Sequence, residues 1–174
     1  MASTYTLISS QVLGSAAASV TFSSIPQTYS DLKLIMSLQD TASGSNSGGA
    51  YVSFNGDSGS VTTYSYTYLS GQSGAAQSSR GSNYPYVSLN NGISSASNTN
   101  LFTSLELYIP NYTSTLSKQA SNFSATENNS ATSNVVEITA NLYRGGSAIT
   151  SIQIAAAVSY ATNSSFYLYG IKNS

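Results

Sequence analysis

Asn134–Tyr143 reads NVVEITANLY, and its period decides the fold class. Side chains on a strand alternate between two faces. Val136, Ile138, Ala140 and Leu142 then share one face, with Glu137, Thr139, Asn141 and Tyr143 on the other. Alternation of this kind predicts a strand with an apolar core face and a polar solvent face. DLKLIMSLQ repeats it, with Leu32, Leu34, Met36 and Leu38 opposite Lys33, Ser37 and Gln39. LFTSLELYIP does so again, with Leu101, Leu105, Leu107 and Ile109 opposite Ser104, Glu106 and Tyr108.

Weaker alternations bring the expected total to about ten strands. They are ASVTFSSI (Val20, Phe22), AYVSFNG (Val52, Phe54), SAITSIQIA (Ile152, Ile154), SSFYLYGI (Phe166, Leu168), TYTLIS, NYPYVSL and VTTYSYTYL. Turn-forming clusters separate them: SGSNSGG, NGDSG, SGQSG, NNG and RGG. Short strands with one apolar face each and no helix between them predict a single-domain, all-β antiparallel sandwich spanning 1–174. Residues from about Gly71 to Asn100 are mostly Ser, Gly, Asn and Ala, and are expected to form long loops around a short Tyr84–Leu89 strand. A short flexible N-terminus is expected ahead of the first strand.

Ser, Thr and Asn make up 70 of the 174 residues, while 6% are charged and the net charge is −1. Disorder needs low hydrophobicity together with high net charge, so the alternating runs predict a folded chain with a hydroxyl and amide surface. Such a surface gains little from charge repulsion and favours association. With neither cysteine nor histidine, the chain lacks disulfides, thiolate chemistry and the commonest general base and metal ligand. Five basic residues spread along the chain offer no nucleic-acid patch. No apolar run approaches the roughly 20 residues of a membrane span.

Candidate chemistry is sparse. A Ser–Lys pair would need Lys33, Lys118 or Lys172 buried with a lowered pKa, and solvated lysines are the expectation. A glycosidase pair would draw on Asp31, Asp40, Asp57, Glu106, Glu127 and Glu137; Glu106 and Glu137 sit mid-strand and are open to ion pairing with Lys33 or Arg144. Asn55–Gly59 (NGDSG) offers one carboxylate to a cation, so a type I′ hairpin turn is expected there. RGG at Arg144–Gly146 reads as another hairpin connection. No enzyme and no cofactor are expected.

VTTYSYTYLSG places Tyr64, Tyr66 and Tyr68 on one face of a strand, in a chain with fourteen tyrosines and no tryptophan. Tyrosine suits half-dry, half-wet positions. The stripe is open to three readings: core, seam between subunits, or platform for sugar stacking.

Four stretches carry a resemblance: YTLISSQVLGSAAASVTFSSIPQTYSDLKLIMS, YVSFNGDSG, LELYIPNYTST and FYLYGIKNS. Together, from about Tyr5 to Ser174, they resemble virion structural proteins of tailed bacteriophages of marine and cyanobacterial type. The resemblance implies a jelly-roll-like sandwich, commonly a homotrimer, on the outer surface of the capsid. It implies a decoration (cement) protein that binds the major capsid protein and braces neighbouring subunits. The alternative it leaves open is a receptor- or glycan-binding head of a tail fibre. It carries over no catalytic residue.

Overall fold

The computed structural model describes residues 4–43, 48–58, 63–72, 74–95, 101–128 and 134–172. Among them the chain forms twelve strands and no helix. They are β1 (Tyr5–Val12), β2 (Ala17–Phe22), β3 (Asp31–Asp40), β4 (Gly48–Phe54), β5 (Tyr64–Gln72), β6 (Ala75–Tyr84), β7 (Val87–Ser95), β8 (Thr103–Ile109), β9 (Lys118–Thr126), β10 (Val135–Tyr143), β11 (Ile152–Tyr160) and β12 (Ser165–Ile171). The expected N-terminal flexibility concerns residues 1–3, which lie outside the described residues. From Tyr5 onward the chain is paired with β12.

Two sheets face each other. The small sheet runs β2-β11-β4-β7 and the large one β1-β12-β3-β8-β9-β10-β5-β6. Neighbours are antiparallel except at the corner, where Gln39 and Asp40 of β3 run parallel to Ser94 and Ser95 of β7. A jelly roll of eight strands pairs its first, eighth, third and sixth strands in one sheet and its second, seventh, fourth and fifth in the other. That order is present here as β2-β11-β4-β7 and β3-(β8-β9-β10)-β5-β6. The seventh strand has expanded into a three-strand meander, and β12 and β1 extend the far edge.

The core lies where the expected alternations fall opposite one another. Leu32, Leu34, Met36 and Leu38 of β3 are buried, as are Leu105, Leu107 and Ile109 of β8. They meet Val52, Phe54, Val87, Leu89, Ile152 and Ile154 from the small sheet within one cluster. Each such side chain contributes about 1.5–3 kcal/mol on full burial. Of these two runs, Leu101 alone leaves its predicted face, being exposed ahead of β8.

NVVEITANLY is a strand, but its faces are reversed. Val135, Glu137, Thr139, Asn141 and Tyr143 point inward, whereas Val136 and Ile138 are 46% and 57% exposed. Two features fix this sense. Tyr143 stacks on Tyr64 at 5.1 Å and meets Phe54 edge-on at 5.2 Å, anchoring that face of β10 in the core. The small sheet also has half as many strands as the large one, so beyond the contacts of Phe54 with Tyr64 and Tyr143 the inner faces of β9, β10 and β5 lie mainly against β7. A polar layer occupies that space. Asn122 donates to the Leu89 carbonyl at 2.6 Å and accepts from Asn141 at 2.9 Å, and Thr103 bonds Thr126 at 2.8 Å.

Three loop expectations also change. Residues 75–84 form β6 and Val87–Ser95 form β7, so the Ser/Gly-rich middle is largely strand. Asn55 and Gly56 both have positive φ, as a type I′ turn requires, yet β4 does not pair with β5 and the turn is no hairpin. The Arg144–Gly146 segment crosses from β10 in the large sheet to β11 in the small one.

Candidate binding surface

Strand β5 lies between β10 and β6, and its tyrosines point toward the sandwich interior. Their environments differ along the strand. Tyr64 is fully buried, and its hydroxyl accepts the Phe54 N–H at 2.9 Å. Burial pushes its phenol pKa up, against the opposing pull of that N–H. Tyr64 is therefore a core residue. Tyr66 and Tyr68 are half-buried, with their rings 6.1 Å apart and nearly parallel.

Three tyrosines that the strand pattern did not single out extend this pair into a ribbon. Tyr66 meets Tyr84 edge-on at 4.7 Å, Tyr84 meets Tyr86 edge-on at 5.6 Å, and Tyr86 lies 4.2 Å from Tyr51. All five rings are half-buried. Tyr51 comes from β4, Tyr66 and Tyr68 from β5, and Tyr84 and Tyr86 flank Pro85 between β6 and β7. Asn83 adopts positive φ before that turn, and Arg144 holds it by donating to Asn83 Oδ1 and the Tyr64 carbonyl at 3.3 Å each. Glycine supplies the seats: a Cβ at Gly49 would stand 2.5 Å from the Tyr51 hydroxyl, and one at Gly81 2.5 Å from the Tyr66 ring. Burial, and then the Tyr84 hydroxyl, push the Tyr66 phenol pKa up. Burial does the same to Tyr86, with Tyr51 and Tyr84 adding to it. The signal available in the sequence was the tyrosine excess itself, together with NYPY beside a strand.

The candidates for catalysis are dispersed. Glu106 lies on the outer face of the large sheet, ion-paired to Lys33 at 2.7 Å. Glu137 lies on the inner face, 2% exposed, accepting from Thr139 at 3.0 Å. The sheet separates the two carboxyls, so they form no pair. Burial pushes the Glu137 carboxyl pKa up, with the Thr139 hydroxyl opposing. Lys118 corrects the expectation of solvated lysines, being 2% exposed. Its ammonium donates to the Leu116 and Gly145 carbonyls at 2.8 and 3.2 Å and sits 5.4 Å from the centre of the Tyr143 ring. Burial lowers its pKa. Asp57 accepts the Tyr143 hydroxyl at 2.7 Å, so the carboxylate of NGDSG ties the turn to β10. Among the described residues no three acidic side chains gather at metal-binding spacing.

No family model matches the chain, and no curated protein or solved structure does.

Proposed function

We propose that the chain is a capsid decoration protein of a tailed bacteriophage, which binds the outer shell and stabilises contacts between major capsid subunits. Two things support the reading: the sequence resemblance set out above and the five-tyrosine ribbon. The ribbon is the observation that carries it. Two of its four ring contacts are edge-to-face, at 84° and 83°, one is tilted and one stacked, so the rings pack against one another. Aromatic groups set in a surface poor in charge have the composition of a protein interface core. A sugar platform needs open, flat ring faces, which this packing reduces.

Each weak contact adds to the work of parting neighbouring capsomers. Many copies on one shell multiply it through effective concentration.

The test is to add purified chain to phage shells stripped of their surface proteins. Saturable binding at hundreds of copies per shell, with a raised temperature of shell disruption, is the expected result. Tyr66→Ser and Tyr84→Ser should weaken that binding. Absence of binding, combined with retention of a glycan on an array, would instead select the fibre-head reading.

A further inference from the structure

The outer face of β9, β10 and β5 carries what the inner face of the same strands lacks. Phe123, Ile138 and Leu69 stand opposite one another in register, 45%, 57% and 59% exposed. Two residues along each strand, a second row holds Ala125, Val136, Gly71 and, on β6, Ala76. Val136 apart, this row is of small residues, and it opens into a depression of about 450 Å³. A bulky row thus runs beside a hollow one. No charged side chain lies on this face of the three strands. Charge appears at the margins of the face, as the Lys33–Glu106 pair on β3 and β8, as Arg80 on β6, and as exposed Glu127 just past the end of β9, where it lines the depression.

We propose that this face is a homotypic interface, in which two copies of the chain pack sheet against sheet about a two-fold axis. The self-complementarity is geometric. A two-fold axis lying in the interface, parallel to the rows and between them, sets the bulky row of each copy over the hollow row of its mate. Isologous dimers need such a self-matching patch. Charge is confined to the margin and leaves the centre of the face apolar, as in interface cores, and a net charge of −1 leaves two copies almost without mutual repulsion. The area suffices. Five strands from β8 to β6, about 4.8 Å apart and roughly nine residues of about 3.3 Å long, span a plan of roughly 700 Å². A side-chain-covered surface exceeds its plan, and a standard interface uses about 800 Å² per partner. The tyrosine ribbon is not part of this surface, so the inference stands apart from the shell as partner. It also differs from the threefold assembly that the resemblance implies.

Sedimentation equilibrium on the full chain, from micromolar concentrations upward, tests it. The wild type is expected to form a dimer, and Ile138→Glu or Leu69→Glu to weaken it about a hundredfold or more. Thermal unfolding of the variants should stay near wild type, because both side chains are exposed. Ala76→Phe fills the hollow and should weaken the dimer too, although it adds apolar surface. Leu116→Glu, on an exposed loop residue elsewhere, should leave it intact. A monomeric or trimeric wild type overturns the proposal. So does a dimer indifferent to Ile138→Glu, tightened by Ala76→Phe, or lost equally with Leu116→Glu. Shell binding keeps the two proposals apart: a monomeric Ile138→Glu chain that still binds shells supports the homotypic face, whereas loss of shell binding with the dimer intact overturns it. A wild type that dimerises but ignores shells leaves this interface standing and removes the decoration role.

Discussion

Tyr64 shows how one hydroxyl can matter more than a ring. Its phenol oxygen is the partner of the Phe54 N–H, at the end of β4 and inside the core. A buried donor left without a partner costs about 1–3 kcal/mol. Tyr64→Phe keeps the ring contacts with Tyr143 and Phe54 and removes only that acceptor. Urea denaturation should therefore show a loss of about 1–3 kcal/mol, with the slope of the transition unchanged. Tyr68→Phe, at a half-buried position with one ring neighbour, should stay within about 0.5 kcal/mol of wild type. Equal effects at the two positions would mean that the Phe54 N–H has another acceptor. The spacing of Tyr64, Tyr66 and Tyr68 was readable as a stripe on one face of a strand. Its division into a core residue and two surface residues was not, because that depends on where the small sheet stops covering the large one.

Among the elements, β3 and β8 were legible because large aliphatics recur at every second residue and, Ile35 apart, the residues between them are polar or charged. Period and sense agreed there. In β10 the period was right and the sense wrong. Valine and isoleucine marked one face as core, but Tyr143 and Val135 anchor the other, and β9 presents Phe123 outward beside Ile138. β9 and β6 went unread as strands because KQASNFSAT and AAQSSRGSNY lack an aliphatic row. Pairing from neighbours, and not their own side chains, holds them in the sheet. That difference predicts a gradient of protection. β10 is bonded on both sides, by β9 and β5, while β6 is bonded only by β5 and is exposed on nearly every residue. In hydrogen exchange read by mass spectrometry, peptides covering 75–84 should exchange about half their amides early. Those covering 135–143 should be among the slowest in the chain. Early exchange throughout β10 would contradict the pairing, and full protection of β6 would show its outer edge covered by another strand.

At the scale of the whole molecule, the scarcity of charge changes how stability responds to pH. Most proteins lose stability in acid because carboxylates held ionised in the folded state must take up protons. Here the two carboxyls with a resolved shift move the other way. Burial raises Asp40, against hydrogen bonds from the Ala42 and Gly48 amides, and burial raises Glu137, against Thr139. Each binds its proton more tightly in the folded chain than in the unfolded one, where the pKa values are 3.8 and 4.5. Their contribution is fully present below those values and is lost as pH rises through the higher folded-state values. No histidine titrates in the next interval to mask the change. Unfolding free energy should accordingly fall as pH climbs from about 4, with a slope of at most about 1.4 kcal/mol per pH unit for each group. It should then level off once both groups are ionised in the fold. Glu137→Gln keeps a polar group on the inner face of β10 and removes one of the two titrations, so it should flatten the curve and raise stability near neutral pH. Guanidinium-free thermal or urea unfolding across that range reads the effect directly. Stability that instead rises steadily from pH 4 to 7 in the wild type, with Glu137→Gln following the same curve, would mean that burial raises neither carboxyl, Asp40 at the end of β3 or Glu137 on the inner face of β10.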